Sequence, residues 1–377
     1  MTTRRAIGLM SGTSLDGIDV ALIESDGTRL RVLRSGNDRV AALGPTGYRG
    51  YAEDERALLT RALRDAEAVT ARTDRPGCLP EAEAFLTRAH AEAIEAFLAQ
   101  NGLTPNEIDV VGFHGQTVLH RPREGLTVQI GDGAALAQRL GIPVVADLRA
   151  EDVARGGQGA PLVPVFHRAL AEAAGYAGPL AVLNIGGVAN VTLIDSGGGM
   201  LAFDTGPGNA PVNDWMKERE GAPFDRDGTR AAQGRVDEAL VAWLLRHPYF
   251  EAVPPKSLDR HWFSHKLAGH LGTADGAATL TAFAARAIRA SLDHASERPT
   301  RWIVAGGGAR NRTLVAMLQD LLDTEIVNAD ALGWSADFLE AQAFAYLALR
   351  SVEGLPITFP STTGVSAPAP GGVLHRP

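Results

Sequence analysis

The chain has 377 residues, 45% hydrophobic and 21% charged, which is enough to bury substantial cores and about the length of two domains. A formal net charge of −8 offers no basic field for nucleic acid or for an anionic membrane. The single cysteine, Cys78, permits no intrachain disulfide, no apolar run is long enough to span a bilayer, and the first residues lead into a strand rather than a signal segment, so a cytoplasmic location is expected.

From the N-terminus, a three-strand meander is predicted at 5–10, 18–24 and 29–34. The first turn, Ser11-Gly12-Thr13-Ser14-Leu15-Asp16-Gly17, runs on into Ile18 and Asp19. It combines hydroxyl donors with glycines that expose backbone N–H groups, which is what a phosphate-binding turn requires. Asp16 is the candidate Mg2+ ligand, directly or through water, because Mg2+ prefers oxygen and keeps its waters. The same residue types are common in plain hairpin turns.

Residues 81–100 read as an amphipathic helix, with Phe85, Leu86, Ala89, Ala93, Ile94, Phe97 and Leu98 on one face. The apolar run 108–113 is a strand ending in His114-Gly115-Gln116-Thr117. Ligands of layered α/β folds bind where strands end, so His114, Gln116 and Thr117 are candidate substrate ligands. Strands are predicted at 126–130 and 143–148, with a helix around 133–140. Arg121, Asp147 and Arg149 lie near strand ends, and an arginine there can hold a carboxylate bidentately. The histidines match no metal-binding spacing. The Gly- and Pro-rich stretch 156–164 reads as the crossing into a second domain.

The second half restarts with strands at 180–185, 188–194 and 200–203, the first two joined by Gly186-Gly187. This repeats the opening topology without repeating its residues and points to a duplication. Gly186, Gly187 and Asn190 form a second candidate phosphate turn, which can face the first across a polyphosphate. The third strand of this copy runs into Phe203-Asp204-Thr205-Gly206-Pro207-Gly208-Asn209. Asp204 is placed at its end as the candidate general base; the alternative is an Asx-turn onto Gly206. The first copy has no carboxylate where its third strand is predicted to end, at Arg34-Ser35-Gly36.

Helices are predicted at 235–246 and 277–297. A strand at 301–305 enters Gly306-Gly307-Gly308 and Asn311, where missing side chains let a ring or ribose lie against backbone. Helices near 312–323 and 337–353 follow, the latter with Glu340 in its first turn, where the helix dipole favours an acid. The tail 355–377 reads as an extended segment returning to the first domain.

In this order, the elements resemble the ATP-binding elements of the sugar kinase, Hsp70 and actin superfamily. More narrowly, the chain resembles the anhydro-N-acetylmuramic acid kinase family. The stretches that carry this are Met10-Ser11-Gly12-Thr13-Ser14-Leu15-Asp16-Gly17-Ile18-Asp19, His114-Gly115-Gln116-Thr117, Gln129-Ile130-Gly131-Asp132 and Gly156-Gly157-Gln158-Gly159-Ala160-Pro161-Leu162-Val163-Pro164. Asn184-Ile185-Gly186-Gly187-Val188-Ala189-Asn190, Phe203–Asn209, Gly306–Asn311 and Glu340–Ala345 complete the set, nearly end to end. Gly133, Leu258-Asp259 and Thr358 depart from the family pattern, and none is expected to touch the nucleotide turns or Asp204.

The resemblance implies an α/β fold of two duplicated actin/hexokinase-like (ribonuclease H-like) domains around a central ATP and substrate cleft. Domain I is expected at 1–145 plus 355–377 and domain II at 146–354. It also implies a reaction: ATP phosphorylates O6 of 1,6-anhydro-N-acetylmuramic acid while water opens the bridge, giving N-acetylmuramic acid 6-phosphate in cell-wall recycling. Asp204 would activate the water, with ATP and Mg2+ as cofactors. Asn209 and Glu340 join the sugar site, and Arg121 or Arg149 meets the lactyl carboxylate. A homodimer is implied as well. The alternatives are a conventional hexose kinase of the same superfamily and an ATP-driven binding protein like Hsp70 or actin.

Overall fold

A computed structural model describes residues 2–377 except Thr13, Gly36, Asn37 and His261; the side chains of Arg34, Ser35 and Asp38 also fall outside the description. The chain divides into two compact units, Met1–Tyr176 with Phe338–Pro377, and Ala177–Asp337. In the first, β1 (Arg4–Met10), β2 (Gly17–Ser25) and β3 (Leu43–Gly50) form an antiparallel meander. β4 (Val110–Phe113) and β5 (Val144–Ala146) then extend the sheet in parallel from β1. In the second, β6 (Leu180–Ile185), β7 (Val188–Ile194) and β8 (Met200–Pro207) form the meander. β9 (Arg301–Ala305) and β10 (Glu325–Asn328) extend it in parallel from β6.

Both sheets therefore have the order third-second-first-fourth-fifth, the duplicated ribonuclease H-like topology of the actin/hexokinase fold. β4 is buried along its whole length and β9 over its last four residues, as expected of parallel strands covered on both faces.

The third strand of the first copy is Leu43–Gly50, not the predicted 29–34. Residues Val32–Ser35 instead pair with Asp38–Ala41 in a separate hairpin. The true strand, Leu-Gly-Pro-Thr-Gly-Tyr-Arg-Gly, lacks the apolar alternation by which strands are recognised. It lies at the sheet edge, where Pro45 costs no central ladder bond. Its neighbour Gly17 begins β2 under tight packing: a Cβ there would lie 2.4 Å from the Arg49 carbonyl oxygen.

The compact units also differ from the predicted domain boundaries. The helix Pro164–Ala174 stays with the first unit, where Phe166 packs on Tyr346 at 5.6 Å. The helix Leu339–Val352 lies directly on β1 and β4 of the same unit. A Cβ on Gly8 would sit 1.8 Å from the Ala341 carbonyl oxygen, and one on Gly112 would sit 2.1 Å from that of Phe344. These two strand glycines let the helix backbone descend onto the sheet. In the tail, Val373–His375 pairs antiparallel with β5.

Candidate active site

The first turn is braced from below. The buried Ser11 donates its hydroxyl to Gln116 Oε1 at 2.6 Å, and Gln116 Nε2 donates to the Gly12 carbonyl at 3.3 Å. Gln116, read from sequence as a sugar ligand, thus ties down the turn; it and Thr117 lie in a strand, Gln116–Arg121, rather than in a strand-end loop. Thr117 accepts a hydrogen bond from Gln129 Nε2 at 3.2 Å. Leu15 takes a left-handed conformation (φ 54°), which leaves Ser14 and Asp16 exposed on one side. Ser14 donates to Asp16 Oδ1 at 2.7 Å, and Tyr48 donates to the Asp16 carbonyl at 2.8 Å. Leu15, Gly17 and Ile18 are buried, so they can offer a ligand backbone alone; Asp19 pairs with Met10 in the β1–β2 ladder. Thr13 lies outside the described residues.

Glycines separate into those that the fold demands and those that it does not. Gly17, Gly306 (φ 78°) and Gly308 are required by packing or backbone conformation; a Cβ on Gly308 would lie 2.3 Å from Ile185. At Gly12, Gly186, Gly187 and Gly307 a Cβ would meet nothing closer than 3.4 Å, and φ is not positive. Leaving those positions bare keeps open the space a phosphate or nucleoside would fill.

In the first unit, His114 and Arg149 interlock. Arg149 Nε and Nη2 approach His114 Nε2 at 3.2 and 3.1 Å, while His114 Nδ1 meets the Gly115 carbonyl at 2.7 Å. Burial, reinforced by the Arg149 charge, holds the His114 imidazole well below its ordinary range. It is therefore neutral, with its proton assigned to Nδ1 by these partners. Arg149 Nη1 also donates to the Gly159 carbonyl at 2.8 Å, which leaves two of its five N–H groups for a ligand. Asp147, also in a left-handed conformation (φ 58°), pairs instead with Arg72. With His114 and Arg75 these two line a cavity of about 370 Å3. Arg121 is not drawn to His114: it donates to the Glu67 carbonyl at 3.3 Å and pairs with Glu124 at 3.8 Å. Glu340 is the second residue of its helix; its side chain reaches solvent, but partial desolvation raises its carboxyl, opposed by the Arg149 charge, which places it near Arg149.

In the second unit, the Gly186-Gly187 turn sits against the start of the helix Ala210–Glu220. Gly208 and Ala210 donate to the Gly187 carbonyl at 2.9 and 3.2 Å, and Asn209 donates to that of Gly186 at 2.8 Å. Asn209, assigned from sequence to the sugar, faces the late glycine loop. With Gly307, Asn311, Phe224, Asp225 and Arg226 it lines a cavity of about 340 Å3. Asn311 also caps the helix Arg312–Leu322 through the Leu314 N–H at 3.0 Å. The segment 224–226 has no apolar periodicity, and the turn residues around it, Pro223 and Asp227-Gly228, say nothing of a ligand; only the fold brings it to the cavity, with Phe224 exposed and the Arg226 guanidinium 5.5 Å from its ring centroid.

Asp204 lies three residues before the end of β8, not at its end, and pairs with Asn190 at a bulge between Ala189 and Asn190. Its carboxylate makes no Asx-turn. Oδ2 accepts the Leu258 N–H at 2.8 Å, and Oδ1 has no partner among the described residues. Its backbone N–H donates to the Lys256 carbonyl at 3.0 Å, and its carbonyl accepts the Tyr249 hydroxyl. Burial pushes the Asp204 carboxyl up to about 6, opposed by the Leu258 N–H. The expectation that the Leu258-Asp259 departure leaves Asp204 untouched is therefore overturned: chain distance concealed a direct backbone contact.

Among the described residues, no group of three or more His, Cys, Asp or Glu side chains is placed to hold a metal ion, and no helix is long and apolar enough to cross a membrane. The family model described as anhydro-N-acetylmuramic acid kinase matches residues 4–376. A Methylorubrum extorquens protein named anhydro-N-acetylmuramic acid kinase is 72% identical over 377 residues, covering all of both chains. Proteins of the same name from Methylorubrum populi and from a Rhodopseudomonas palustris strain are 71% and 57% identical, covering 100% and 99% of this chain and all of each relative.

Proposed function

The chain belongs to the anhydro-N-acetylmuramic acid kinase family and is an ATP-dependent kinase, and from that premise we propose a ring-opening phosphoryl transfer with Asp204 as its base. Water attacks C1 of 1,6-anhydro-N-acetylmuramic acid, and Asp204 takes its proton. The C1–O6 bond breaks, O6 takes the γ-phosphoryl group of ATP, and ADP leaves. The departing oxygen is itself the phosphate acceptor, so no separate acid is required.

The observation that carries this reading is the state of Asp204. It is half-buried, held on three sides by backbone and hydroxyl groups, with one carboxylate oxygen unengaged and its carboxyl raised to about 6. A carboxylate raised towards neutrality is a stronger base than an ordinary one and still ionised at neutral pH. The bare glycines Gly12, Gly186, Gly187 and Gly307 support phosphate and nucleoside contacts in the two turns and the late loop. The unengaged N–H groups of Arg149 suit the lactyl carboxylate, since a guanidinium binds carboxylates in a fork. Asp16, with Ser14 beside it, would hold Mg2+, directly or through water, and the ion would neutralise phosphate charge. A homodimer belongs to the same proposal.

The test is ADP release across a panel of sugars. The anhydro sugar, which has no free O6 hydroxyl, is expected to drive it. Release only with sugars bearing that hydroxyl would make the protein a conventional hexose kinase. Release without any sugar would remove the kinase reading of the site.

A further inference from the structure

The segment from Tyr249 to Leu258 has no part in the reaction above, yet it makes three hydrogen bonds to one residue. The Tyr249 hydroxyl donates to the Asp204 carbonyl, the Asp204 N–H donates to the Lys256 carbonyl at 3.0 Å, and the Leu258 N–H donates to Asp204 Oδ2 at 2.8 Å. The segment is fastened in turn. Lys256 Nζ donates to the carbonyls of Tyr249 and Phe250 at 2.9 and 3.3 Å and lies 4.8 Å from the Tyr249 ring centroid. Tyr249 and Phe250 belong to an aromatic cluster with Trp262, Phe263 and Phe283, with ring centroids 5.1–5.9 Å apart.

We infer that the Leu258 backbone N–H is a positioning group for the proposed base: it fixes the rotamer of Asp204 by holding Oδ2, which aims Oδ1 at the reactive water. This rests on Asp204 being the base. An amide N–H suits the task because it can only donate, so it favours the carboxylate and cannot compete for the proton. The Lys256 ammonium faces the same strand but is spent on two carbonyls, and the Tyr249 phenol is spent on the Asp204 main chain. Neither can replace the Leu258 contact to the carboxylate. The Leu258 side chain plays no part in the chemistry under this account; it packs against the cluster that contains Phe263 and Phe283 and so helps seat the N–H.

Two measurements test it. Leu258→Pro deletes the N–H and Leu258→Ala keeps it. The proline variant is expected to lower kcat about tenfold or more and to move the acid limb of kcat/KM up by about one pH unit, while the alanine variant, which loses packing but keeps the N–H, leaves the acid limb where it is. In the unsubstituted protein, the 15N-labelled Leu258 amide resonance is expected to titrate with the Asp204 carboxyl and to lose that titration in Asp204→Asn; this reading needs no altered loop. A Leu258 amide shift that is flat with pH, or an acid limb unmoved in a folded proline variant, overturns the positioning role. If Asp204→Asn itself keeps full activity, the base assignment fails instead, so the two failures are distinct.

Discussion

Asn190 and Asp204 are cross-strand partners at a bulge in the second sheet, one pair in from the end of the β6–β7 ladder. The same register position in the first sheet, counted from the last β1–β2 pair, brings Val20 opposite Gly47. One copy of the duplicated meander places a carboxylate where the other has no side chain at all. β3 contains no acidic residue along its length, so the asymmetry survives the reassignment of that strand from 29–34 to Leu43–Gly50.

Replacing Asp204 by Asn should separate chemistry from binding. Turnover is expected to fall by about 10^2–10^4, while ATP and sugar dissociation constants, measured by calorimetry, change little. The same variant should be more stable at neutral pH. The folded carboxyl lies at about 6 against an ordinary 3.8, so the folded state holds the extra proton and stability is lost as pH rises through that window. Removing the charge should recover about 1–2 kcal/mol at neutral pH after discounting for solvent screening, and nothing near about pH 4. Thermal melts at the two pH values check this.

The pH profile has a fixed sign. Asp204 accepts a proton only when ionised, so kcat/KM should rise with pH through about 6 and then flatten. His114 is held neutral by burial and by Arg149, so it should add no second limb near its ordinary value. A profile that falls as pH rises through 6 would contradict the assignment of Asp204 as a base.

Glycines should divide by function. Gly187→Ala and Gly307→Ala have room for the methyl group and should melt at or above the unsubstituted temperature, with the KM for ATP raised about tenfold. Gly8→Ala and Gly112→Ala would drive a Cβ into the helix Leu339–Val352 and should cost at least about 3 kcal/mol. Melting curves paired with ATP titrations distinguish the two classes.

The two candidate arginines should behave differently. Arg149→Ala is expected to raise the KM for the anhydro sugar about 10- to 100-fold, the worth of a charge-assisted fork, and to leave that for ATP alone. Arg121→Ala should change neither by more than about twofold, because its partners are Glu67 and Glu124. Equal effects from both would remove the assignment to Arg149.

Most of the fold was legible because duplication left a visible pattern. Strand, Gly-Gly and strand at 180–194, with Asp204 following, could be read directly from residue types and spacing. What escaped was set by long-range packing. β3 carries three glycines and a proline because an edge strand tolerates them, so it showed no strand signature. The helix Leu339–Val352 looked like a continuation of the second half, and only the strand glycines Gly8 and Gly112 reveal where it packs. Leu258 contributes through its backbone, which no side-chain pattern reports.

The central claim is that water, guided by Asp204, opens the sugar bridge while O6 takes the phosphate. Products formed at short times from ATP, Mg2+ and the anhydro sugar in 18O-water, read by mass spectrometry and NMR, test it most directly. The account predicts one 18O atom at C1 of the sugar, phosphate on O6 with no label in its bridge, and the α-anomer as first product, because attack opposite O6 inverts the centre. A β-anomer formed first, label in inorganic phosphate with intact sugar, or unlabelled sugar phosphate would contradict it.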